Sequence, residues 1–169
     1  MKIYELVEMY KKDKMLNFKK ALEVTEYIGI AYKKKIAELV LNECITEVDG
    51  NLQMNSLDRY ILFIIAVIGA HTNLEFNNED DDMYSAIDDF DTLNENHLLE
   101  KIVDTFREDY DACQIVLDMM TSDRIKNHST LEKKINSFIT GFGEQLVKEL
   151  LNLENKDDII ELFNSIGQK

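Results

Sequence analysis

The feature that most constrains this chain is Tyr60-Ile-Leu-Phe-Ile-Ile-Ala-Val-Ile-Gly-Ala70, eleven consecutive residues without a charged or amide side chain. The run is well short of the roughly 20 residues needed to cross a bilayer, so no membrane span is expected. A helix apolar on every side belongs inside a core, and the rest of the chain must cover it. Its Ile and Val would also suit a buried strand, but strands average about 5 or 6 residues, which favours a helix of about four turns over residues 57–70. Asn55 or Ser56 offers the N-cap, and Asn73, after His71 and Thr72, marks the end.

A chain of 169 residues, 45% apolar, is large enough to enclose such a helix, and the absence of proline favours helical cover. Ile3, Leu6, Val7 and Tyr10 give a short amphipathic helix over 2–12. Ile36, Val40 and Cys44, with Ala37, Leu41 and Ile45 beside them, give another over 32–45, whose exposed side is expected to include Lys33, Lys34 and Lys35. Between these two, Leu22 to Ile28 alternates as a short strand does, with a helical turn as the other option. Asp49-Gly50, flanked by Val48 and Leu52, is the favoured pair for a two-residue hairpin turn; a helix end relaxed by Gly50 is the alternative.

Further helices are expected from about Met83, through Leu98, Leu99, Ile102, Val103 and Phe106, and through Tyr110, Cys113, Leu117 and Met120, the last two being either separate or continuous. Ser129 and Glu132 have capping-box spacing, which starts a long helix running to about Leu153. The whole reads as one all-α or nearly all-α domain over 1–169. It is a helical bundle around a buried central helix, with a short β-hairpin, an acidic loop near 75–82 and a C-terminal helix near 157–166.

The net charge of −14 is concentrated in one place. Residues 1–50 carry nine Lys and nine acids, whereas Tyr60 to Glu100 holds ten acids and no Lys or Arg. That segment is unsuited to nucleic acid or an anionic membrane, and leaves basic protein surfaces or cations as partners. The candidate partner-binding residues are Glu75, Glu79, Asp80, Asp81, Asp82, Asp88, Asp89 and Asp91, with Lys33, Lys34 and Lys35 as a basic counterpart. A lysine cluster meeting the acidic segment of a second copy would give head-to-tail association steered by charge.

Catalytic chemistry has few handles. No phosphate-cradling glycine loop, nucleophile elbow or two-histidine zinc motif is present. His71, His97 and His128 stand far apart and read as helix-end or surface residues. Cys44 and Cys113 fall on apolar helix faces, as reduced core thiols do, and the stretch Met1 to Asp13 lacks the pattern of a secretory signal, so a cytosolic protein is expected. An EF-hand register from Asp89 places Asp91 third and Glu100 twelfth but Leu93 fifth and Asn94 sixth; one from Asp80 places Tyr84 fifth and Ser85 sixth. Both fail the glycine requirement at the sixth position, so no catalytic, cofactor or metal residues are assigned.

Three stretches carry a likeness: Ile45-Thr-Glu-Val-Asp-Gly-Asn-Leu-Gln-Met-Asn55, His71-Thr-Asn-Leu-Glu-Phe76 and Leu98-Leu-Glu-Lys-Ile-Val-Asp-Thr-Phe106. In order and pattern the chain resembles small, acidic, helical proteins encoded in the virion-structure gene clusters of phages of low-GC Gram-positive bacteria. The resemblance implies a phage structural or assembly protein of the tail or head-tail region. Its partners would be other phage structural proteins or itself, its location the host cytoplasm during assembly, with retention in the virion as a further option. The competing function is an acidic nucleic-acid mimic that inhibits a host defence or DNA-binding protein, for which the acids between Glu75 and Glu95 speak. An enzyme of another type is the third option.

Overall fold

The computed structural model describes residues 1–49, 51–77 and 85–128. The expected helix from Ser129, the C-terminal helix near 157–166 and residues Glu79, Asp80, Asp81 and Asp82 lie outside the described residues. The chain divides into two compact units, Met1–Ile125 and Lys126–Lys169; the elements below build the first, apart from the last three described residues. In order they are α1 (Ile3–Lys12), α2 (Phe18–Ala21), α3 (Ile30–Cys44), β1 (Ile45–Val48), β2 (Asn51–Met54), α4 (Ser56–His71), α5 (Ser85–Glu95), α6 (Leu99–Val103) and a 3-10 turn, Asp104–Phe106. The helical residues 107–128 follow as α7. Among the described residues the fold is mostly helical with a short antiparallel hairpin, as the sequence indicates.

The apolar run forms α4. Asn55 caps it, its side-chain oxygen accepting from the N–H groups of Leu57 and Asp58 at 3.2 Å each. That bond supplies acceptors for donors the first helical turn leaves unmet. The helix stops at His71, where the Thr72 N–H and hydroxyl both return to the Ile68 carbonyl. Ile61, Leu62, Phe63, Ile64, Val67 and Ile68 are buried. Enclosure on every side does not hold, however: Leu57 is 66% and Tyr60 56% exposed. The first turn also carries Asp58 and Arg59, whose charges keep this end at the surface.

Helix α3 packs along α4, and the two share an end where the Asn55 N–H donates to the Cys44 carbonyl at 2.9 Å. Between them the hairpin pairs Ile45 with Met54 and Val48 with Asn51, leaving a two-residue loop. Asp49 has φ 53°, the left-handed conformation that such a turn demands of its first central residue and that Asp tolerates well.

The expected strand at Leu22–Ile28 is not formed. Glu23 has φ 49°, in the left-handed region and outside any strand conformation, and the backbone donors that follow are taken elsewhere. The Thr25 N–H goes to the His71 carbonyl at 2.8 Å and the Ile28 N–H to the Asp109 carboxylate at 3.1 Å. The segment is an extended connector lying beside the end of α4.

Helix α5 is amphipathic, with Ala86, Phe90 and Leu93 buried and Asp88, Asp91 and Glu95 exposed at three- and four-residue spacing. It ends in a left-handed cap. His97 has φ 55°, its N–H bonds to the Asn94 carbonyl, and the Leu98 N–H reaches back to the Leu93 carbonyl at 2.9 Å while both leucines are fully buried. The 3-10 turn then joins α6 to α7, whose buried stripe continues from Phe106 through Asp109, Cys113 and Leu117. Both cysteines are free and buried, and no helix among the described residues is long and apolar enough to cross a membrane.

Candidate functional site

The acidic residues expected to meet a partner are split between surface and scaffold. Glu75 pairs with Lys2 at 3.1 Å, and its N–H donates to the Met1 carbonyl, so it fastens the start of the chain to the connector after α4. The Lys2 ammonium hydrogen-bonded to it holds its carboxyl below the usual range. Asp89 accepts from the Asn77 N–H at 2.6 Å and so braces the same connector. Asp88 and Asp91 stand on the exposed face of α5. Of the lysines, Lys34 and Lys35 are exposed. Lys33 is not: it is 4% exposed, and its expected place on the exposed side of α3 has to be corrected. It lies three residues before Ile36 and four before Ala37, which puts it on the buried stripe.

Beside α5 a cleft of about 360 Å³ is lined by Tyr60, Ile64, Asn94, His97, Glu100, Arg107 and Tyr110, among others. The Arg107 guanidinium is held by Asp104 at 2.6 Å and lies 3.8 Å from Glu100, and burial pushes the Tyr110 phenol up so that it stays a hydrogen-bond donor. Tyr60 meets Phe90 of α5 edge-on, with ring centroids 6.2 Å apart. Aromatic faces with polar edges suit a protein segment laid across them.

A second arrangement is internal, and the sequence reading did not assemble it. Lys33 of α3, His71 at the end of α4 and Asp109 of α7 meet inside the fold, each at most 5% exposed. The Lys33 ammonium pairs with Asp109 Oδ1, off the directions of a hydrogen bond, and stands 4.7 Å from the Tyr27 ring centroid. His71 Nε2 is 2.9 Å from Asp109 Oδ2, and its Nδ1 is 2.8 Å from the Val67 carbonyl. A carbonyl can only accept, so Nδ1 carries a proton and donates it. Phe106 stacks on the imidazole at 4.3 Å between centroids and 13° between planes, which fixes the ring.

Burial alone would push the Asp109 carboxyl up, but the contacts from Lys33, His71 and the Ile28 N–H outweigh it and hold the group below the ordinary carboxylate range. The ionised Asp109 carboxylate faces His71 Nε2 at 2.9 Å. Cys113, one turn along α7 from Asp109, completes the group: the ligating atoms of His71, Asp109 and Cys113 all lie within 4.8 Å of one another. Burial pushes the Cys113 thiol up to about 11, which keeps it protonated when nothing else is bound.

Each member has a sequence signal that could have found it. Asp109 falls three residues after Phe106 and four before Cys113, and His71 follows Val67 and Ile68 by four and three, so both continue apolar stripes, as Lys33 does. Three helices each place one ionisable residue on the buried face, with signs that match. Compared with known proteins, the chain matches no family model, no curated protein and no solved structure.

Proposed function

We propose that this chain is a non-enzymatic, protein-binding component of a bacteriophage particle or of its assembly, acting in the tail or head-tail region and located in the host cytoplasm during assembly, with retention in the virion as a further option. The observation that supports this reading best is the surface made by the exposed acids of α5, Asp88, Asp91 and Glu95, together with the neighbouring cleft of Tyr60 and Tyr110. Within the cleft, Glu100 and Arg107 beside the two tyrosines resemble the polar rim and apolar centre of a protein interface. The phage setting rests on the resemblance of the stretches ending at Asn55, Phe76 and Phe106. Lys34 and Lys35 remain available to meet the acidic face of a second copy, without Lys33.

The competing reading, a nucleic-acid mimic, is favoured by nine acids without a base between Glu75 and Glu95. Neutralising Asp80, Asp81 and Asp82 to Asn separates the two when binding to an identified partner is measured at two salt concentrations. A rim around an apolar contact loses association rate and salt dependence but keeps the complex. A mimic, in which each carboxylate stands for a phosphate, loses nearly all binding, and DNA then competes with the wild type for the partner. Fixed copy number in purified virions is the expected result for a structural component; absence of the protein from both virions and assembly intermediates would overturn the proposal.

A further inference from the structure

We propose that His71 Nε2, Asp109 Oδ2 and Cys113 Sγ form a binding site for a borderline-soft divalent cation, zinc above all. Nitrogen, carboxylate and thiolate are the donors zinc takes. Asp109 and Cys113 stand four apart on one face of α7 and His71 sits opposite on α4, so two elements distant in sequence bring three donors within 4.8 Å of each other. Around a tetrahedral zinc, with Zn–N about 2.0 Å and Zn–S about 2.3 Å, donors stand roughly 3.3–3.8 Å apart. The Nε2 and Oδ2 atoms, now 2.9 Å apart, need to open by a few tenths of an ångström, and Sγ, within 4.8 Å of both, needs to close on them by up to about 1 Å, changes that side-chain rotation supplies.

The surroundings already have the form of an outer shell. A metal-bound histidine usually donates its other N–H to a carbonyl or carboxylate, which fixes the tautomer that presents the lone pair to the ion. Here Nδ1 donates to the Val67 carbonyl, and Phe106 holds the ring plane. Lys33 on Oδ1 and the Ile28 N–H on Oδ2 orient the carboxylate, and Lys33 keeps it monodentate. Binding releases the Sγ proton, and any proton on Nε2, to water as the cation takes their place.

An approach exists from solvent. A cleft of about 310 Å³ is lined by Asp109 and Phe106, with the ion-paired Lys19–Glu26 and Arg107–Asp104 at its walls. Three protein donors leave the fourth tetrahedral position to a water.

The test uses the full chain, stripped with a chelator, loaded with Zn²⁺ or Co²⁺ and desalted. One equivalent of zinc retained per chain, and a thiolate-to-cobalt charge-transfer band in the Co²⁺ form, are expected. Cys113→Ser should lose the band and weaken zinc binding by about 100-fold, while Cys44→Ser, which alters the other buried thiol, keeps both. Should Cys113→Ser not fold, ¹¹³Cd loaded into the wild type gives the readout, through scalar coupling to the Cys113 β-protons and the His71 ring. Absence of stoichiometric retention, a cobalt spectrum without thiolate, a band that survives in folded Cys113→Ser, or coupling to other side chains would each overturn the site.

Discussion

Lys2 and Glu75 meet at 3.1 Å with both side chains more than half exposed, whereas Lys33 and Asp109 meet with both almost wholly buried. The two pairs share residue classes, and each joins segments more than seventy residues apart. Solvent separates them. At the surface, water and salt compete for both charges, and holding two long side chains together costs entropy, so the contact adds little. Inside, desolvation has already been incurred, and each charge depends on its partner because nothing else can replace water. An exposed ion pair records where two segments lie; a buried one decides whether they can lie there.

The largest expected effect tests that contrast at its centre. Asp109→Ala leaves the buried Lys33 ammonium without its counter-charge and His71 Nε2 without its partner, and should cost about 3–5 kcal/mol in urea unfolding of the metal-free protein. Phe63→Ala should cost a similar amount, about 3–5 kcal/mol, through the cavity it opens in the apolar core around α4. A loss below about 1 kcal/mol for Asp109→Ala, with Phe63→Ala as severe as expected, would show that the polar cluster is incidental to the fold.

A smaller effect appears on acidification of the metal-free protein. The folded Asp109 carboxyl lies below its unfolded value of about 3.9, so its contribution is fully present above that value and is lost as pH falls through the folded one. Stability should therefore drop more steeply below about pH 4 in the wild type than in Asp109→Asn, while Phe63→Ala keeps the wild-type slope. Parallel slopes for wild type and Asp109→Asn would remove the carboxylate from the account.

The smallest effect belongs to the exterior pair. Lys2→Ala should leave the thermal midpoint almost where it was, and the remaining difference should disappear in molar salt. A shift comparable to that of Asp109→Ala would erase the distinction between the two pairs.

Apolar periodicity made most of the scaffold legible. It located α4, α3 and α1, and Asp49-Gly50 announced the hairpin, because these features depend on neighbours a few residues away. The strand expected at Leu22–Ile28 failed because alternation records which side chains face inward, not whether a partner strand exists. Lys33 was misplaced for a related reason: identity suggested solvent while its position, in register with Ile36, Ala37 and Val40, indicated the core. The acids were legible as a charge but not as positions. Glu75 and Asp89 turn out to hold backbone in place, and only Asp88 and Asp91 of the described candidates are left wholly to the surface. His71, Asp109 and Cys113 escaped because their proximity depends on how α4 and α7 cross.

The hairpin between α3 and α4 also bears on the order in which the fold is reached. Its two-residue turn brings together helices adjacent in the chain, so closing that unit costs little loop entropy and should occur early. Asp109 lies 76 residues beyond Lys33 and can join only when α7 arrives. Substitutions in the α3–α4 contact should therefore slow refolding, while those in the buried ion pair should chiefly hasten unfolding. The polar cluster would then act as a latch that closes after the frame has formed, setting how long the native state lasts more than how quickly it appears.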